Sequence, residues 1–364
     1  MREAMQADKR IFLTLDGLRG IAAIMIVLFH SRAIVGHFHP ASAYLSVDLF
    51  FALSGCVLEA SYRGRLAEGL STRAFMRIRF IRLWPLFALS LMIGLAFALV
   101  RLAMGVGGDT PASIALALVT GLAMLPSPSL SGHDWVMPLN VAGWSLVLEL
   151  AINALYAWQW RRLSNRLLWL VVTVSGLVLT AASLAHGGVD MGSTWGSVAG
   201  GLVRVLYSFS LGVLIFRAYD GRVRRGWVAA LVPLLLIPIL ATGGGGPLFD
   251  LACALFVLPL LVWAGLRLEP APGLDRLFRW AGLTSYAVYV LHGPVLQFAK
   301  LAIFHYWRPR TDAVWMAGLA AIAALVLLSA AVDRWYDTPV RRKLSAHLRR
   351  RAEAARGERA MTAS

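Results

Sequence analysis

Charge is what this chain has least of, and acidic charge above all. Only 15% of its 364 residues are charged, with 19 Asp and Glu against 35 Lys and Arg, while 59% are hydrophobic. Together with a mean hydropathy of +0.68, this excludes an ordinary water-soluble globular domain of comparable size. Cysteine is nearly absent as well. Cys56 and Cys253 both lie in apolar runs, so there is neither a disulfide framework nor a zinc-ligand spacing. No basic block of the kind that binds nucleic acid is present; the Lys and Arg residues gather in short runs between apolar segments, where their expected role is orientation in a bilayer. Internal repeats and long polar stretches are missing too. The glycine run at 243–246 reads as a flexible outer loop. The first apolar run follows Arg2, Lys9 and Arg10 but carries no small-residue cleavage site, so it reads as a first span rather than a signal peptide.

What the chain does have is apolar runs. A hydrocarbon core of roughly 30 Å needs about 20 helical residues. Runs near that length begin at Leu15, Leu45, Leu83, Val141, Leu167, Val198, Trp227, Leu248, Ala281 and Ala313, which predicts an all-α polytopic membrane bundle of ten transmembrane helices. A further run at 112–125 is shorter and bounded by Pro111 and Pro126. If it does not span, the basic clusters at 73–82, 161–166, 217–225, 267–279 and 341–351 all fall on the cytoplasmic side; if it does, every later cluster falls outside. The positive-inside rule therefore predicts both termini in the cytoplasm and a re-entrant or interfacial element near 112–125. Residues 1–340 then form one transmembrane domain, and 341–364 a basic, disordered cytoplasmic tail.

Ionisable groups inside such runs are expensive, and each is a candidate for function. The stretch "LDGLRGIAAIMIVLFH" places Asp16 and Arg19 at its start and His30 at its end. At a rise of about 1.5 Å per residue, Arg19 lies roughly 10 Å from the inner face and His30 about 25 Å from it. Asp48 in "SVDLFFALSG" and Glu149 in "GWSLVLEL" fall in the same outer half as His30 on this reckoning, whereas "RIRFIRLWP" puts Arg77, Arg79 and Arg82 at the inner side. His292 lies roughly 16 Å into the ninth span. Plainer readings exist for several of these. His30 fits an interfacial histidine, Asp48 a helix cap, the arginines a positive-inside anchor, and His292 a buried histidine satisfied by a neighbouring helix. His37 and His39 form an H-x-H pair in an outer loop, too few ligands for a structural metal; no metal is expected.

Taken in order, these segments resemble the membrane acyltransferase-3 family of bacterial integral-membrane O-acyltransferases. Asp16, Arg19 and His30 match the marked positions of that family's opening segment. "VDLFFALSG" is similar to its second-helix phrase through Phe50, Phe51, Ser54 and Gly55. "RFIRLWP" resembles its Arg-x-x-Arg-x-x-Pro element through Arg79, Arg82 and Pro85, and "WSLVLE" its Trp-Ser-Leu-x-x-Glu element through Trp144, Ser145, Leu146 and Glu149. "SYAVYVLHGP" resembles a late element through Ser285, Tyr286, Tyr289, His292 and Pro294. Any one of these is weak, but five in the same order are specific. The chain departs from the family pattern in reading "LAIN" after Glu149 and in carrying Asp337 where the family more often has Glu.

The resemblance implies transfer of an acyl group, most often acetyl, from cytoplasmic acyl-CoA to a sugar hydroxyl of a cell-surface or exported polysaccharide, at the bacterial inner membrane. Arg19, Arg79 and Arg82 are then expected to hold the phosphates of the donor. His30 is the expected general base, since a neutral imidazole has a suitable proton affinity near pH 7, and Glu149 or Asp48 is expected to orient it, as carboxylates do in hydrolase triads. Asp16, Ser54, Trp144, Ser145, Tyr286 and His292 complete the candidate set. The competing reading is a transporter or flippase of a lipid-linked sugar, for which intramembrane charge serves equally well.

Overall fold

Backbone N–H and C=O groups in hydrocarbon must be satisfied within their own segment, which leaves the helix as the solution for runs like these. The computed structural model describes residues 12–348 and 350 apart from 129, 131, 244 and 308–312, and it is a helical bundle. In chain order the helices are α1 (Leu13–His30), α2 (Ala43–Ala67), α3 (Thr72–Ala103), α4 (Pro111–Leu122), α5 (Gly143–Gln159), α6 (Asn165–His186), α7 (Val198–Ala218), α8 (Trp227–Ala241), α9 (Gly246–Arg267), α10 (Pro272–Trp307) and α11 (Val314–Leu348). Eight of them are long and apolar enough to cross a membrane. The runs expected from Val141 and Trp227 form the shorter α5 and α8, the latter carrying Pro238 three residues before its end. The run near 112–125 forms α4, whose 12 residues span about 18 Å. That is well short of a bilayer core.

Local chemistry sets several of the helix ends. Ser71 accepts a hydrogen bond from the amide of Ala74 to start α3, and Ser164 does the same for Leu167 at the start of α6. Thr110 and Ser113 form a reciprocal capping box around Pro111 at the start of α4. Helix α1 has no side-chain cap of its own. Its first amide, Leu13, donates to both carboxylate oxygens of Glu269 at 3.0 and 3.1 Å. Glu269 sits in a two-residue strand, β2 (Leu268–Glu269), paired in parallel with β1 (Arg224–Arg225).

Close approach of helices through small residues organises the bundle, as expected where lipid offers no hydrophobic drive to association. Gly20 faces Ala281, and Gly282 faces the Asp16 side chain, so α1 and α10 cross where a larger residue on either would collide. Gly55 meets the backbone of Phe209 while Gly212 meets that of Ala52, which locks α2 onto α7. Helix α6 lies at the periphery, with Trp169, Leu170, Val174 and Leu177 exposed as a lipid-facing stripe. The tail expected to be disordered from 341 onward is helical as far as Leu348, and the residues from 351 on lie outside the described part.

Candidate active site

Two of the bundle's cavities concern the site, and every candidate residue found at either of them lines the first. The first, about 180 Å3, is lined by Arg19 of α1, Ser54 of α2, Arg79 and Arg82 of α3, Ser145 and Glu149 of α5, and Tyr286 and Tyr289 of α10. Five separate sequence elements thus converge on one space. Three guanidinium groups face one carboxylate there. Arg79 Nη2 binds Glu149 Oε1 at 2.7 Å, and Ser54 Oγ donates to the same oxygen at 2.9 Å. Arg19 lies 3.7 Å from Asp16 on its own helix. Arg82 has no carboxylate partner among the described residues, and its guanidinium sits 5.4 Å from the ring centre of Tyr286. The Tyr286 hydroxyl in turn donates to the carbonyl of Leu83 at 2.5 Å, tying α10 to the turn of α3 that carries Arg82.

His30 and His292 meet away from that cavity. His30 Nδ1 lies 2.9 Å from the carbonyl of Ile26 and 3.3 Å from His292 Nε2, while His292 Nδ1 lies 2.5 Å from the carbonyl of Tyr289. A carbonyl can only accept, so each ring carries its proton on Nδ1. His30 Nδ1–H is then shared between Ile26 and the lone pair of His292 Nε2. His30 Nε2 is left with its lone pair free, unpartnered among the described residues, on a residue that remains exposed. His292 is fully buried. Lys300, two turns further along α10, donates to the backbone carbonyl of His30 at 2.8 Å.

The depth reckoning from sequence requires correction at three points. His30 and His292, placed roughly 9 Å apart in depth by rise per residue, are in contact. Glu149, placed with His30 in the outer half, belongs to the arginine cluster. Asp48 is bound to Arg204, which donates through Nη2 at 2.7 Å and Nε at 3.1 Å and also reaches the carbonyls of Met191 and Tyr44 at 2.6 and 3.0 Å. Neither carboxylate is hydrogen-bonded or ion-paired to His30 among the described residues, so the expected carboxylate–histidine pair is replaced by a histidine–histidine pair. The reason is that depth along separate helices ignores their tilt and rotation, which packing sets.

Trp144 also stands apart from the cavity lining. Its ring packs on the Arg204 guanidinium at 5.6 Å and against Gly192 and Gly201, completing a buried structural knot with Asp48. Ser145, its neighbour, does line the cavity, and its hydroxyl lies 2.6 Å from the Tyr289 hydroxyl. His39 stacks on Phe29 with ring centres 5.3 Å apart, and the side chain of His37 lies outside the described part. Cys56 and Cys253 are free and buried. Arg204 and Lys300 are residues that sequence reasoning passed over, and Tyr289 was matched in the late element without a place in the candidate set. Arg204 carried the signal already used for Glu149, a charge inside an apolar helix, and Tyr289 stood within the quoted segment around His292.

A second carboxylate buried elsewhere follows the same logic as Asp48. Glu59 accepts from Tyr156 at 2.6 Å and from Arg217 at 2.7 Å, joining α2, α5 and α7. These satisfied groups explain how the bundle tolerates charge in an apolar interior. The cavity with the uncommitted Arg82 and the exposed His30 are different, because their polar atoms remain available.

The structure is thus a polytopic helical bundle that holds an arginine-lined cavity with a histidine pair beyond it. Residues 12–333 match the family model described as an acyltransferase domain, and the chain belongs to that acyltransferase-3 family. It is a multi-pass membrane protein and an enzyme that transfers acyl groups. It is 40% identical over 187 residues to a protein of Rhizobium radiobacter called protein 2 in the picA locus, a match covering 49% of this chain and 97% of that protein. It is 27% identical over 333 residues to BcsY of Komagataeibacter xylinus, whose name describes a membrane-bound transacylase; that match covers 86% of this chain and 79% of the relative. No solved structure matches.

Proposed function

We propose that the protein transfers an acyl group, acetyl in the simplest case, from acyl-CoA on the cytoplasmic face to a sugar hydroxyl of a surface or exported polysaccharide on the other, at the bacterial inner membrane. One observation supports this reading most. A single helix, α10, contributes Tyr286 and Tyr289 to the arginine-lined cavity, carries His292 against His30 one turn later, and lines the second cavity with Gln297 and Lys300. From Tyr289 to His292 the rise is only about 4.5 Å. The arginine-lined cavity and the histidine pair are therefore separated by about one turn of α10.

In this reading Arg82, Arg79 and Arg19 hold the anionic donor, with Arg82 the cation free to take a phosphate oxygen. Glu149 keeps Arg79 in place and limits the positive charge of an otherwise unopposed cluster. A cavity of about 180 Å3 suits the chain-like acyl-pantetheine end of the donor rather than its nucleotide. The acceptor oxygen attacks the thioester carbonyl as its proton passes to His30 Nε2. The C–S bond then breaks, the acyl group stays on the acceptor oxygen, and the leaving thiolate recovers the proton. His292 accepts from His30 Nδ1–H and so supports the imidazolium that forms, the role a carboxylate fills in a triad. The family membership supports acyl transfer over the transporter reading, and the uncommitted base and cation support the roles given to His30 and Arg82.

The test is an acetyl-CoA-dependent transfer assay on purified protein in lipid nanodiscs, paired with CoA binding. His30→Gln should lower turnover by about 10²- to 10⁴-fold with CoA affinity retained. Arg82→Gln should raise the donor KM before it changes acceptor use. Unchanged turnover in the first variant, or an unchanged donor KM in the second, would remove that residue from its role.

A further inference from the structure

The second cavity has no occupant in the reading above. It measures about 360 Å3, and its walls include Arg101, Asp109, His133, Trp135, Gln297 and Lys300. Lys300 lines it and also donates to the backbone carbonyl of His30 at 2.8 Å, so one lysine side chain links the cavity to the residue that carries the proposed base, although the His30 ring is not part of its wall. Its far wall is held by a loop-to-loop clasp. Trp135 bridges to Thr194, the Val136 amide donates to the Ser193 carbonyl at 3.0 Å, and Asp134 accepts from the Gly196 amide at 3.0 Å. Trp135 is thereby fixed as a half-buried aromatic face. A pre-formed, partly aromatic cavity with a few convergent polar groups has the make-up of a ligand site.

Its charge narrows the ligand. Arg101 Nε is buried without a hydrogen-bond partner, and Lys300 uses only one of its three N–H groups on His30. Asp109 is the one carboxylate among the lining residues. Two fixed cations, one with a buried donor unmet, favour an occupant that brings an oxyanion of its own. We infer that this cavity is the acceptor subsite and that it selects a sugar carrying an anionic substituent, a carboxylate or a phosphate, over the neutral sugar. The ring lies against Trp135, the oxyanion reaches Arg101 and Lys300, and a free hydroxyl faces His30. This inference rests on the acyl-transfer reading and adds to it the class of acceptor.

The experiment uses the full chain in nanodiscs with acetyl-CoA as donor and three matched probes as acceptors: methyl glucoside, methyl glucuronide and methyl glucoside 6-phosphate. At least one anionic probe should exceed the neutral one about tenfold in kcat/KM, and which of the two does so identifies the oxyanion. Arg101→Gln should bring that preference close to parity while CoA affinity is retained, and Arg101→Lys should keep part of it. Retained CoA affinity also shows that the variants are folded. Equal or better use of the neutral probe, a preference that survives Arg101→Gln, or transfer to none of the three while CoA binds would overturn the inference. Failure of the wild-type protein to bind CoA would instead overturn the acyl-transfer reading.

Discussion

Asp48 and Glu149 looked alike in sequence, each a carboxylate inside an apolar run. Asp48 is held by Arg204, whose guanidinium hydrogen bonds go to Asp48 or to backbone carbonyls, whereas Glu149 shares a cavity with an arginine that has no carboxylate partner among the described residues. Asp48→Asn leaves Arg204 buried and unpaired, a change that costs on the order of 3–5 kcal/mol. The expected outcome is a large loss of folded protein and a lowered melting temperature, with turnover per folded molecule preserved. Lost turnover in protein that remains folded would return Asp48 to the catalytic set. The residue types at the site were legible because intramembrane polar groups are few. Their partners were not, since pairing depends on how helices rotate about their own axes.

At the scale of elements, α1 shows how an end can be built by a distant segment. Its first amide is capped from β2, 256 residues away, by the Glu269 carboxylate. Burial pushes that carboxyl up to about 7 from its ordinary 4.5, against the opposing pull of the Leu13 amide and the Arg225 charge. A raised folded-state value means that the folded form holds the proton more tightly than the unfolded chain. The associated stability is therefore full below pH 4.5 and is lost as pH rises through about 7. A series of melting temperatures between pH 4.5 and 8 should fall more steeply for the wild type than for Glu269→Gln. Parallel curves would show that Glu269 does not titrate in this range. No local pattern near Leu13 announced this contact. By contrast, the Thr110–Pro111–Ser113 start of α4 and the glycine spacing of α1 were present in the sequence as local signals.

At the scale of the whole molecule, two cavities are joined by α10, with the histidine pair between them. The sidedness of the proposed reaction depends on the orientation of the bundle. A reporter fused after Trp160 should give a cytoplasmic signal, placing the arginine-lined cavity on the side where acyl-CoA is found; an extracytoplasmic signal would reverse the assignment of donor and acceptor sides. The solvent, the helical class, the approximate spans and the identities of the chemical groups were all legible in the order of the residues. Hydropathy and segment length are properties of contiguous residues, and hydrocarbon permits few alternatives to the helix. That His30 meets His292, that Glu149 joins the arginines and that Asp48 binds Arg204 emerged from the packing of the helices. Those pairings arise from tilt, rotation and the close approach of small residues between helices far apart in the chain, and rise per residue along any one helix does not contain them.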